Sequence, residues 1–338
     1  LVGSEMCIRD RYTSIWFFIY RRLRFLYIYK EKNDAECNRR LRIILKNLLF
    51  IVNPSAGKKH IKGKLFEIVD LFVKADYNVR VYPTQAKEDA VRIVSEEGWL
   101  YDLIVCAGGD GTLDEVVTGC MKCGCDTPIG YIPCGTTNDF ARSLGIPKDP
   151  IRAAKRIVKY QPQPIDIGSF NGDFFVYVAA FGAFTDVTYT TPQEYKNHLG
   201  HMAYVLEGIK SVPSLTSYHL KVEYDDNVIE DDFFLGMVTN SLTVGGFPNP
   251  NSKIALLDDG MYEALLVKYP TNPIDLQATV SAYLMGEFNP EYMYQFKAKR
   301  IVIESPEAIT WTLDGEFGGS VTYAEILNLE HALNIIKK

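Results

Sequence analysis

From Lys46 onward, apolar and polar positions recur with two different periods, one in each half of the chain. Residues 48–52 (LLFIV) form a short apolar run that stops at Asn53-Pro54, the pattern of a buried strand closed by a turn. Residues 61–75 carry apolar side chains at Leu65, Ile68, Val69 and Phe72, a helical spacing. Residues 78–82 alternate as a strand, 86–97 return to helix, 103–107 (LIVCA) are a third strand, 112–121 a third helix and 129–132 a fourth strand. This alternation predicts crossover units on a mainly parallel, doubly wound sheet, an α/β N-terminal domain over 46–164.

After about residue 165 the period changes. Residues 165–170 and 174–180 flank Asn171-Gly172, a strong hairpin signal, and 219–224 and 229–235 flank a second turn at 225–227. Further strands are expected at 236–240, 263–268, 300–304 and 309–313, with one helix at 273–285. Successive hairpins predict a C-terminal antiparallel β-sandwich domain over 165–321, with 322–338 returning to the first domain. Residues 1–45 are expected to be a non-native or disordered extension. They begin with Leu1 rather than Met, and VGSEMCIRDR reads like a translated sequencing adapter.

Composition narrows the function. The 338 residues are 47% hydrophobic and 23% charged, ordinary globular values, and the net charge of −6 lacks the basic footprint expected for nucleic-acid binding. No run reaches the roughly 20 apolar residues of a membrane span. The aromatic stretch at 15–29 is broken by three arginines. Seven cysteines include a close group at Cys120, Cys123 and Cys125, but no second ligand pair follows, so they read as reduced thiols of a cytoplasmic protein.

The chemistry lies in turns after strands. Gly108-Gly109-Asp110-Gly111-Thr112 follows the third strand, at the sheet edge where open α/β folds bind ligands. Glycines let backbone amides approach an anion, and the helix that follows offers free N–H groups to a phosphate. Thr112 and Glu115 have capping-box spacing. Asp110 among phosphate-binding amides would call for Mg²⁺ between the two, although an isolated GGDG is better explained as a tight turn with a capping aspartate. Asn53–Lys58 (NPSAGK) and Pro133–Asp139 (PCGTTND) are comparable turns, the latter equally consistent with a plain N-cap at Thr137 or Asn138. No Walker A or dinucleotide fingerprint is present, since Gly63-Lys64 is followed by Leu65 and Gly109-Asp110-Gly111 lacks a third glycine. In the second half, Leu257-Asp258-Asp259-Gly260 suits a turn or a hard-cation site, and Leu313-Asp314-Gly315-Glu316 is explained fully by a turn.

Together NPSAGK, GGDGTLDEV, PCGTTNDFA, LDDG and LDGE resemble the diacylglycerol kinase catalytic family, in its bacterial soluble lipid kinase branch, in order and spacing over residues 46–338. The resemblance implies ATP held between the two domains by Asn53, Pro54, Ser55, Ala56, Gly57, Thr84, Gly109, Asp110, Gly111, Thr112, Leu113, Asp114, Glu115 and Thr136. It implies Asp110 joined to a magnesium network, and a structural Mg²⁺ held by Asp259 with the backbone oxygens of Leu256 and Met261. It further implies Glu316 as general base, with Asp110 also catalytic. A diacylglycerol-like lipid would be the acceptor, reached by peripheral contact with the inner face of the plasma membrane, with a homodimer left open. Two positions depart from the pattern: Ala56 replaces a common Ser, and Asp114 stands where Asn is usual. Alternatives are a related kinase acting on NAD or another lipid alcohol, a non-catalytic nucleotide- or lipid-binding regulator, and an inactive paralogue.

Overall fold

Strand β1 (Lys46–Val52) is buried along its last five residues, as its unbroken apolar run requires for a central parallel strand. In the computed structural model it lies between β2 (Tyr77–Pro83) and β3 (Leu103–Gly108), parallel to both, and β4 (Ile129–Pro133) extends the sheet beside β3. Helices α1 (Leu65–Lys74), α2 (Asp89–Glu97), α3 (Asp110–Cys123), α4 (Asp139–Ser143) and α5 (Pro150–Lys159) fill the connections. The structure describes residues 45–57, 61–182, 215–241, 243–244, 247–248, 256–285 and 287–337. Residues 1–44, including the aromatic stretch at 15–29, and Lys58 lie outside them.

Local chemistry sets the helix ends. Pro150 opens α5 behind Asp149, whose carboxylate accepts the Arg152 amide at 2.8 Å. Gly124 ends α3 in the left-handed conformation. Helix α1 begins at Leu65 rather than at 61. Ile61 is still buried, but 61–64 form a turn, consistent with the helix penalty of Gly63. The expected capping box of α3 is not formed. The helix starts at Asp110, its N-cap Gly109 offers no side chain, and Glu115 instead accepts the amides of Glu88 and Ala90 at 2.9 and 3.1 Å. Glu115 therefore caps its neighbour α2, since the first turn of α2 needs an acceptor and Glu88 supplies none.

The second half is antiparallel, as expected. Strands β5 (Pro162–Phe170) and β6 (Asp173–Phe175) form the hairpin about Asn171-Gly172, both with positive φ. The expected strand at 174–180 is interrupted, and β7 (Val178–Gly182) begins after a break at Val176–Tyr177. Strand β8 (Tyr218–Tyr224) pairs with β9 (Asn227–Thr239), which absorbs two expected strands into one, and β10 (Thr243–Val244) with β11 (Phe247–Pro248) makes a short ribbon. Strands β12 (Tyr262–Lys268) and β13 (Met293–Ala298) follow, with α6 (Pro273–Met285) between them as expected. Strand β14 (Arg300–Leu313) also unites two expected strands across a register shift, and β15 (Glu316–Ile336) completes the chain.

Strands β9 and β14 each have three neighbours, β9 with β12 and β14 with β15 on one side, and a change of partner on the other. Strand β9 pairs with β8 early and β7 late, and β14 does the same, closing the circuit β7–β9–β8–β14. Its interior is aromatic: the ring centroid of Trp311 lies 4.9 Å from that of Phe181 and 5.0 Å from that of Phe170. The halves share one continuous sheet, because β15 pairs with β14 and β5 and then reaches β4 through Ile335 opposite Ile129. The chain end thus returns to the α/β half, where Leu333 and Ile335 are buried. Among the described residues, no helix is long and apolar enough to cross a membrane. Trp311→Ala, which empties the centre of the antiparallel half, is expected to cost about 3–5 kcal/mol in urea denaturation.

Candidate active site

The turns after β1, β3 and β4 meet backbone to backbone. A Cβ on Gly57, which has φ +55°, would lie 2.1 Å from the Cys134 carbonyl oxygen, and a Cβ on Gly135 would lie 2.6 Å from the Gly109 Cα. Only glycine permits these approaches. Asn53 ties the first turn to α3 by donating from Nδ2 to Thr112 Oγ1 at 2.9 Å, while its Oδ1 accepts the Ser55 amide at 2.9 Å. Asn138 braces the third turn rather than its helix, accepting from Gly135 N at 3.0 Å and donating to Gly135 O at 2.7 Å. The start of α3, whose N-cap makes no side-chain hydrogen bond, thus presents free amides that fit a phosphate chain.

The residues expected to hold ATP divide by how they are presented. Pro54, Ser55, Ala56 and Gly57 lie on the first turn, with Ser55 and Gly57 exposed. Gly111 and Thr136 are also exposed. Thr84 sits at the end of β2 and donates its amide to Val52 O at 2.9 Å. Leu113 is fully buried in the core, so only its backbone could face a nucleotide. The Glu115 carboxylate is engaged in capping α2.

Acidic groups from both halves converge beside these turns. Burial, then the charges of Asp139 and Asp314, raise the Asp110 carboxyl to about 7, while the Asp139 and Asn138 amides oppose the shift. Asp110 Oδ1 is buried without a hydrogen-bond partner, an orphan oxygen that a cation would satisfy. Asp314, which the turn explanation left without a role, is buried with its carboxylate on three successive amides: Val176 at 2.5 Å, Tyr177 at 3.0 Å and Val178 at 2.9 Å. Two residues on, exposed Glu316 accepts from Lys87 Nζ at 3.1 Å, a contact from the back half to the loop before α2. Spacing alone gave no signal for Lys87 or Asp314, since both partnerships join residues more than 130 positions apart.

Asp259 has different partners. Its Oδ2 accepts from Lys297 Nζ at 2.7 Å and its Oδ1 from the Met261 amide at 3.2 Å. Lys297 also reaches Glu263 at 2.9 Å, its partner across β12 and β13, whose carboxyl burial raises to about 7. Leu256 is exposed. One carboxylate with two carbonyl oxygens is a hard-cation donor set, but Lys297 already neutralises that carboxylate. An ion would fit there only as the ammonium shifts onto Glu263. Among the described residues, no cluster of three or more acidic, histidine or cysteine side chains is arranged to hold a metal. The described cysteines, Cys106, Cys120, Cys123, Cys125 and Cys134, are free thiols.

Comparison with known proteins agrees with the motifs. Residues 47–170 match the diacylglycerol kinase catalytic domain. The chain is 35% identical to a diacylglycerol kinase of Bacillus subtilis strain 168 over 86% of its own length and 96% of that protein. It is 36% identical to a diacylglycerol kinase of Staphylococcus aureus strain RF122 over 86% of its length and 92% of that protein. A crystal structure of a diacylglycerol kinase from Bacillus anthracis Sterne superposes with a TM-score of 0.70 at 28% identity, covering 87% of this chain and 98% of that one. At this identity, and with near-complete coverage of these relatives, the chain belongs to the diacylglycerol kinase family, as a lipid kinase.

Proposed function

We propose that the chain transfers the γ-phosphoryl group of ATP to the hydroxyl of diacylglycerol or a similar lipid, giving phosphatidate. The observation that carries this reading is the meeting of Glu316 from one half with Lys87 of the other. In the reaction the lipid oxygen bonds to the γ-phosphorus, the bond from that phosphorus to the β–γ bridging oxygen breaks, and ADP leaves. Such transfer depends mainly on positioning and on offsetting charge. Amides of the first and second turns would hold phosphate oxygens, as the uncapped helix α3 favours.

Glu316 would take the hydroxyl proton. Its ion pair with Lys87 is exposed on both sides, and such pairs are worth no more than about 1 kcal/mol, so an incoming hydroxyl can displace the ammonium at small cost. The freed Lys87 would stay near the transferring group as a positive charge. Mg²⁺ would be held beside the orphan oxygen of Asp110, where it would offset negative charge on phosphate oxygens. A second, structural ion is proposed at Asp259 with the carbonyls of Leu256 and Met261, coupled to the shift of Lys297. Access to the lipid would be by reversible, peripheral contact with the inner face of the plasma membrane.

Glu316→Gln is expected to lower kcat by about 10²–10⁴-fold with ATP binding retained, and near-normal turnover would reject Glu316 as base. The melting temperature is expected to rise with added Mg²⁺, and this rise should vanish in Asp259→Ala. An unchanged curve in the unsubstituted chain would rule out the structural ion. An assay across diacylglycerol, monoacylglycerol, sphingosine, undecaprenol and NAD should give the highest kcat/KM for diacylglycerol. Preference for NAD would overturn the lipid reading.

A further inference from the structure

Strand β9 ends at Thr239, and the chain around that end is held tightly. Thr239 Oγ1 donates to Tyr177 O at 2.6 Å and accepts the Ser241 amide at 3.0 Å. Ser143 Oγ on α4 donates to Asp139 O at 3.2 Å and so accepts from Ser241 Oγ at 2.8 Å, a bond that ties the chain after β9 to the α/β half. Thr239, Asn240 and Ser241 are all buried. Asn240, 1% exposed between these two anchors, differs from both of them. Its Nδ2 and its Oδ1 are enclosed with no hydrogen-bond partner among the described residues.

A buried side-chain amide without partners destabilises a fold, and such groups are uncommon in native proteins. Leucine has nearly the same size and would fill the place with no polar atom to satisfy. Asparagine here therefore weakens the fold, and a local rule broken in this way marks a functional position. The surroundings say which function. Thr239 stands opposite Val178 on β7, and the amides of Tyr177 and Val178 hold Asp314, two residues before Glu316. On its other side Thr239 stands opposite Glu263 of β12. Tyr262, the first residue of β12, has a buried Oη that also lacks a partner among the described residues. Unmet polar atoms thus lie at the adjoining ends of two strands, beside the segment whose amides hold the Glu316 turn.

We propose that Asn240 is a binding residue for the polar head of the acceptor, an uncharged acylglycerol. Nδ2 would donate to an ester carbonyl, and Oδ1 would accept from the free hydroxyl until Glu316 takes its proton. The amide is neutral and complements no charge, so an ionised head group gains nothing from it. A carbonyl beside a hydroxyl meets both of its atoms. The identity of the ligand rests on the kinase reading above, whereas the site is testable by binding alone.

The test compares the full chain with Asn240→Leu and Asn240→Ala. The probes are dioctanoylglycerol and its diether analogue, which keeps the hydroxyl and lacks both ester carbonyls. Without lipid, Asn240→Leu should melt no lower than the unsubstituted chain, because two unmet polar atoms are gone. Dioctanoylglycerol should raise the melting temperature of the unsubstituted chain, and much less that of either variant. The unsubstituted chain should favour the diester over the diether by about 10-fold in Kd, and each variant should bind the two alike. In turnover, the KM for dioctanoylglycerol should rise by about 10-fold in both variants, with the KM for ATP unchanged. Asn240→Ala leaves room for a lipid and keeps these readings available if leucine overpacks the site. Equal preference for the diester in all three proteins would overturn the proposal. So would lower melting of both variants with unchanged lipid binding, the behaviour of a purely structural amide bridged by water. Loss of the lipid-induced stabilisation in the variants, without phosphorylation of any lipid by the unsubstituted chain, would uphold the site and reject the kinase reading. Phosphorylation of dioctanoylglycerol with one KM in all three proteins would uphold the kinase reading and reject the site.

Discussion

Carboxylates cannot be gathered in a buried joint unless each finds a donor, because an unpaired buried charge costs several kcal/mol. The joint between the two halves of this chain is built around that constraint. Asp314 meets it with three successive amides, which are free only because the strand after β6 is interrupted at Val176 and Tyr177. The break in the sheet and the placement of the Glu316 turn are therefore one feature. If the strand ran on, its amides would enter a ladder and Asp314 would lose its donors.

The same solution recurs deeper in the molecule. Asp166, fully buried on β5, accepts from Gly260 N at 2.8 Å, His331 N at 2.9 Å and Asn328 Nδ2 at 3.3 Å. It thereby pins the Asp258–Gly260 turn to the two strands that bridge the halves. Asp259, in that turn, is met by an ammonium on one oxygen and by the Met261 amide on the other. Asp110 differs, since one of its oxygens is enclosed without a donor. Glu263 is also poorly met, having the Lys297 ammonium on one oxygen only. Of the two, the Asp110 oxygen lies at the start of α3 and is the one suited to a group from outside.

Much of the architecture was legible in the pattern of apolar residues. Periodicity located β1, β2, β3 and β4, the hairpin at Asn171-Gly172 and helix α6, because burial on one or both faces writes itself into adjacent positions. Errors arose where a local rule met a remote partner. Thr112 and Glu115 have the spacing of a capping box, yet Glu115 serves α2 and Thr112 receives Asn53. Residues 229–240 and 300–313 suggested two strands each, whereas β9 and β14 run through, since a strand shared between two partners changes its exposed face along its length.

By itself the sequence determined the element types, the parallel-to-antiparallel change near residue 165 and the glycine turns, all of which depend on neighbours within a few positions. Only the tertiary structure decided that Glu316 faces Lys87, that Asp314 is held by amides, and that Lys297 stands between Asp259 and Glu263. Each of these is an electrostatic pairing between separate chain segments. Such pairings have no period and leave no local trace, because a carboxylate in a turn looks the same whether water, an amide, an ammonium or another acid lies opposite it.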